Sequence, residues 1–239
     1  MRIALLISGS GTTAEHILLA CASGRLKGVV PVCLIASRAD APGIGRAKAT
    51  GMEQKDILVI RPEDFPSREA FGEAIIHACR ARGAEFLGQY GWMCKTPENV
   101  IEAFKGMMVN QHPGPLDPGR PDFGGAGMYG RRVHCARLLF VRAVNRDFWS
   151  EATAQRVASE FDMGSVLKRR QVPILPDDDV PALQARMLPI EHEVQVETIA
   201  DFAAGRVREL VREKPLVRPT EEKILKEAKR KAVELYPDG

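Results

Sequence analysis

Asn110 and His112 stand two residues apart at the end of the short apolar run Met107–Val109, with Gln111 between them and Pro113-Gly114-Pro115 directly after. The run reads as a buried strand, and the Pro/Gly segment must end it, since proline offers no N–H to a ladder. Residues two apart on a strand share a face. Polar groups at the end of a buried strand are where open α/β sheets usually put their chemistry. By residue type alone, the pair fits a turn cap and a loop histidine equally well.

A second candidate lies at the N-terminus. The apolar run Ile3–Ile7 ends in Ser8-Gly9-Ser10-Gly11-Thr12-Thr13, and Ala14 to Ala22 then shows helical spacing through Ile17, Leu18 and Cys21. A strand, a glycine turn and a helix start aim backbone N–H groups and two hydroxyls at one spot, a natural place for a phosphate. Many first βα turns are rich in glycine for packing reasons alone. The next apolar run, 29–35, is followed by Arg38, which could meet the 2′-phosphate of NADP. Arg68 sits in the first turn of a helix capped by Ser67, against the preference of the helix dipole, and a solvated arginine would explain it equally. Asp177-Asp178-Asp179 precedes a helix from Pro181 that contains Glu191-His192-Glu193. Three carboxylates at a helix start read as capping residues, and no metal is expected.

These candidates need elements to position them. Strands are expected over 57–60, within 84–93 together with its exit turn, and in the run leading to Asn110, with helices from Gly43 to Thr50, from Ser67, and from Thr96-Pro97 with the proline just inside. Strands alternating with helices over the first half argue for a parallel sheet with right-handed crossovers in an α/β domain. The Asn110/His112 strand end then lies at the carboxyl edge of that sheet, where open α/β sheets place ligands. A long glycine-rich loop covers 113–130, a helix runs from Arg131 to Val144, and 151–158 alternates like a half-exposed strand. It ends in the acidic turn around Asp162-Met163-Gly164. From Thr220 to Glu234 a charged helix carries a thin apolar stripe at Ile224, Leu225, Ala228, Ala232 and Leu235, suited to lie on the domain or on a partner subunit of a homodimer.

With 239 residues and 45% hydrophobic content the chain can bury a full core. Its 34 basic and 31 acidic residues give a net charge of +3, too even to indicate a nucleic-acid partner. The basic excess sits after Gly205, and the part before it holds 24 of each sign. Five cysteines scattered singly fit a reducing cytoplasm. No export signal or membrane segment is visible.

Several segments together resemble the folate-dependent formyltransferases. They are Ile7–Thr13, Ser37-Arg38-Ala39-Asp40-Ala41-Pro42-Gly43, Gly91-Trp92-Met93, Asn110-Gln111-His112-Pro113, Asp162-Met163-Gly164 and Glu191-His192, and the resemblance covers residues 1–204. It implies a Rossmann-like, mostly parallel twisted sheet flanked by helices, the formyltransferase fold, with 205–239 as a charged helical extension. It also implies transfer of a formyl group from 10-formyltetrahydrofolate to an amine, which in the purine-biosynthesis members is that of glycinamide ribonucleotide. Asn110 and His112 would then stabilise the oxyanion, with Asp162 orienting His112. The substrate phosphate would fall to Gly11, Thr12 and Thr13, and the rest of the acceptor to Glu191. Folate would lie against Arg68, Met93, Cys94, Lys95, Thr96 and Asn110. The chain departs from the family pattern at Gly114-Pro115-Leu116-Asp117, at Cys94, and in a longer stretch between His112 and Asp162. Other readings are a formyltetrahydrofolate hydrolase, a formyltransferase for a sugar nucleotide or initiator tRNA, an NADP-dependent oxidoreductase, and a folate or nucleotide binder without activity.

Overall fold

Ile3 to Ile7 are apolar and have no exposed surface, as expected of a strand covered on both faces of a parallel sheet. In a computed structural model, which describes all 239 residues, this run is part of β1 (Arg2–Ile7). Alternation continues through α1 (Thr12–Ala22), β2 (Val30–Ala36), α2 (Pro42–Ala49), β3 (Ile57–Val59), α3 (Arg68–Arg80), β4 (Phe86–Gln89), α4 (Glu98–Ala103) and β5 (Met108–His112). After the glycine-rich loop come α5 (Arg131–Val144), β6 (Trp149–Arg156), β7 (Val166–Pro173), α6 (Val180–Ala203) and α7 (Glu222–Leu235). The seven strands are ordered β3-β2-β1-β4-β5-β6-β7. The pairs β1/β2, β2/β3, β1/β4 and β4/β5 are parallel and β6/β7 is antiparallel. The expected α/β class, a mostly parallel sheet flanked by helices, is the one observed.

The chain forms two compact units. The first is Met1–Asn110 with Gln195–Val207. Strand order reverses in it between β1 and β4, so the loops after these strands, 8–12 and 90–96, leave the sheet at a switch point. The second is Gln111–Val194 with Arg208–Gly239. Its core joins Phe123, Val133, Phe140 and Val141 to Leu216, Val217, Leu225, Ala228 and Ala232. The apolar stripe of α7 is therefore largely used within the chain, against α5.

The strand expected within 84–93 is β4, and its exit turn follows: Tyr90 N–H still reaches Leu6 O, and Gly91, at φ 72°, turns the chain away. Three local expectations are corrected. Pro97 is the N-cap of α4 (φ −63°, ψ 145°) and not its first residue. β6 is not half-exposed: Ser150 to Gln155 are all buried. Its alternation hides polar side chains that find partners inside the protein, where water was expected. Of the three aspartates, Asp179 accepts from Ala182 N–H at 2.8 Å as a cap, whereas Asp178 pairs with Arg186 at 2.6 Å. No helix is long and apolar enough to cross a membrane.

Candidate active site

In the first unit the turn after β1 is closed by backbone. Gly43 N–H donates to Gly9 O at 3.1 Å, and a Cβ on Gly11 would lie 2.6 Å from Gly43 Cα. Gly11 is also left-handed, at φ 67°, so both space and conformation require glycine here. It is the N-cap of α1 and makes no side-chain cap bond, which leaves the first N–H groups of that helix to be satisfied from outside. Thr12 is half-buried and Thr13 is buried. The Ser8 hydroxyl accepts from Met93 N–H at 2.8 Å and from the Ser37 hydroxyl at 2.7 Å, tying the segment 93–96 to the end of β1.

Arg68, Lys95 and Thr96 come together with Glu69, Pro97, Glu98 and Asn99 around a cavity of about 420 Å³. Thr96 is buried and accepts from Gln89 Nε2. Met93 is exposed and Cys94 half-buried, with its thiol pushed up by burial. Arg38 forks onto the neighbouring Asp40 at 3.0 and 2.7 Å, so its guanidinium is already paired.

At the end of β5, Asn110 is half-buried, pairs in register with Gln89, and shares a strand face with His112. His112 is 2% exposed. Its Nδ1 lies 3.5 Å from Asp162 Oδ2, and its Nε2 has no hydrogen-bond partner. Asp162 is held firmly. Gly125 N–H donates to Oδ2 at 2.9 Å and Gln155 Nε2 to Oδ1 at 2.6 Å, and its own backbone is left-handed at φ 59°. His134 lies near His112, and burial lowers its pKa to about 4, with the neighbouring His112 adding to the effect. Such a site presents one imidazole nitrogen to a ligand while a fixed carboxylate faces the other.

Gln111 points from the opposite face of β5 and donates to Glu191 Oε2 at 2.8 Å. Glu191 is buried, which raises its carboxyl to about 7, although the Gln111 bond pulls it down. Its Oε1 has no partner. The segment 114–117, where the chain departs from the family pattern, is explained by its neighbours. A side chain at Gly114 would overlap Val133 Cγ1 and lie 3.5 Å from His112 Nε2. Asp117 is buried and takes Arg120 at 2.7 Å and Leu216 N–H at 3.3 Å. Leu116 O accepts from Arg212 Nε at 2.8 Å. Gln155, Asp122 and Lys229 were missed by motif reading. Only the length of the glycine-rich loop hinted that something must hold it.

An open α/β sheet with a switch-point glycine turn is built to bind a ligand, and a buried imidazole facing a fixed carboxylate is suited to acid–base chemistry. Its family is shown by sequence: residues 1–199 match the formyl transferase model, and the chain belongs to that family. It is 28% identical over 207 residues to phosphoribosylglycinamide formyltransferase of Haemophilus influenzae, covering 87% of this chain and 89% of that protein. It is also 28% identical over 208 residues to the chloroplastic phosphoribosylglycinamide formyltransferase of Arabidopsis thaliana, covering 87% of this chain and 67% of that one. Among solved structures, glycinamide ribonucleotide transformylase 1 of Symbiobacterium toebii aligns with a TM-score of 0.75 and 32% identity, over 88% of this chain and 94% of that chain.

Proposed function

We propose that the protein transfers the formyl group of 10-formyltetrahydrofolate to the amine of glycinamide ribonucleotide, in purine biosynthesis. The observation that carries this reading is His112: buried, with Nδ1 facing Asp162 and Nε2 unpartnered, two residues along β5 from Asn110. The names of the relatives support the acceptor. The amine nitrogen attacks the formyl carbon, and the bond from that carbon to the folate nitrogen breaks. Between these events the formyl oxygen is an oxyanion. Asn110 and His112 stabilise it as donors, and Asp162 orients His112 and helps carry the proton from the attacking amine to the leaving nitrogen.

Gly11, Thr12 and Thr13 receive the acceptor's phosphate at the uncapped start of α1. Glu191, with one free oxygen, binds elsewhere on the acceptor. Arg68 and Lys95 supply cations for an anionic folate, with Met93, Cys94, Thr96 and Asn110 along it. The family match, ending at 199, supports drawing the catalytic domain as 1–204 with 205–239 as an extension. The partners are these small molecules. All five cysteines are free, which suits the cytoplasm, although the plant relatives are chloroplastic.

The test is kinetic. His112→Ala and Asp162→Asn should each cut kcat by ~10²-fold or more, since one oxyanion donor is worth ~10²–10³. Folate affinity should stay nearly unchanged. Equal losses of turnover and binding would assign these residues a structural role instead.

A further inference from the structure

In the second unit a single peptide group is engaged by opposite charges at its two ends. The carbonyl of Gly124 accepts from Lys229 Nζ at 2.7 Å. The N–H of the same peptide, that of Gly125, donates to Asp162 Oδ2 at 2.9 Å. Lys229 arrives from α7, 105 residues along the chain from Gly124. Asp122 fixes the preceding backbone: its Oδ1 accepts from Gly124 N–H at 2.9 Å and its Oδ2 from Asp117 N–H at 2.7 Å. A Cβ on Gly124 would lie 2.6 Å from Asp162 Cβ, so loop and carboxylate are packed together.

A peptide between two glycines can turn over at little steric cost, and Gly125 already sits at φ 98°. Turned over, it would point its carbonyl dipole at the Asp162 carboxylate. An ammonium can bond only to the oxygen end, so Lys229 selects the orientation in which the N–H faces Asp162. The charged groups around Lys229 are Asp122 and Asp162, both of which favour its cationic form against the cost of burial. His112 in turn acts on Asp122 and His134.

We propose that Lys229 is a positioning residue of the active site: by holding the Gly124 carbonyl it locks the Gly124–Gly125 peptide with its N–H on Asp162, and so fixes the carboxylate that faces His112. The C-terminal helix is thereby part of the working site. This rests on the reading of Asp162 as the partner of His112.

The test compares wild type, Lys229→Met, Lys229→Arg and Asp162→Asn, using 10-formyltetrahydrofolate and glycinamide ribonucleotide, together with the amide NMR resonance of Gly125. Lys229→Met should lower kcat about tenfold while both KM values stay within about twofold, since a small misplacement of a catalytic group acts on the chemical step. Lys229→Arg should keep most of the activity. In the Asp162→Asn background Lys229→Met should add little. The Gly125 amide proton should move upfield in Lys229→Met as its bond to Asp162 is lost. Wild-type kcat in Lys229→Met, or an unmoved Gly125 resonance, overturns the proposal. If the wild type itself does not turn over, the functional reading falls and the Gly125 resonance alone decides the role of Lys229.

Discussion

The two units have interiors of different chemistry. In the first, the buried polar side chains are Ser8, Thr13, Ser37, Gln89, Thr96, Gln195 and Thr198, none of them charged. Every buried Asp, Glu, Arg and His of the protein lies in the second: His112, Asp117, Arg132, His134, Arg137, Glu151, Asp178, Glu191 and Glu221. The first unit is held by apolar strands and backbone turns, and its charged side chains stay outside the core. The second encloses charge, which has to be paired, and much of the pairing comes from the segment after Val207. Arg212 reaches Glu151 and Leu116 O, Arg146 reaches Glu221, Arg132 reaches the carbonyls of Tyr236 and Pro237, and Lys229 reaches Gly124. The C-terminal extension is therefore the counter-charge and clamp of the unit that carries His112.

If that contrast is right, the second unit should be sensitive to single charge deletions. The largest effect is expected at Arg212, whose guanidinium pairs with a fully buried Glu151. Arg212→Ala strands that carboxylate and should cost about 3–5 kcal/mol in urea unfolding. Adding Glu151→Gln should restore much of it. A loss under about 1 kcal/mol would place the pair among solvent-screened bridges and blunt the contrast.

Glu191 sharpens the same point through pH. Its carboxyl, raised from 4.5 to about 7 by burial, keeps a proton in the folded chain that the unfolded chain has released. Stability from this group is therefore fully present below pH 4.5 and falls as the pH rises toward 7. The drop should reach about 3 kcal/mol. Glu191→Gln should flatten the stability profile over that window, and an unchanged slope would remove Glu191 as its source. The smallest effect is steric. Gly114→Ser meets Val133 and should cost about 1–3 kcal/mol by overpacking, with Val133→Ala in the same chain recovering roughly half. Full stability of Gly114→Ser alone would show that the altered 114–117 segment is not set by this packing.

The contrast also explains what could be read from sequence. Ile3–Ile7, the Ser67 cap, which accepts from Ala70 N–H at 3.1 Å, and the helix Arg131–Val144 are specified by neighbouring residues and were legible. So was the location of Asn110 and His112 at a parallel strand end. β6 was misjudged because alternation records polarity but not whether the partner is water or a buried Asp162, Arg212 or Gly114 carbonyl. Asp117 and Lys229 gave no local sign of their tasks. Leu216, which Asp117 reaches besides nearby Arg120, lies 99 residues away and the Gly124 partner of Lys229 lies 105 away, and nothing in the spacing of a charged helix tells which lysine points inward.

Amine-dependent formyl transfer is tested most directly by following tetrahydrofolate release from 10-formyltetrahydrofolate with and without glycinamide ribonucleotide. Rapid release is expected only when the amine is present, with formylated glycinamide ribonucleotide formed in equal amount. Release at the same rate without the amine would make the protein a hydrolase, and no release under either condition would contradict the assignment altogether.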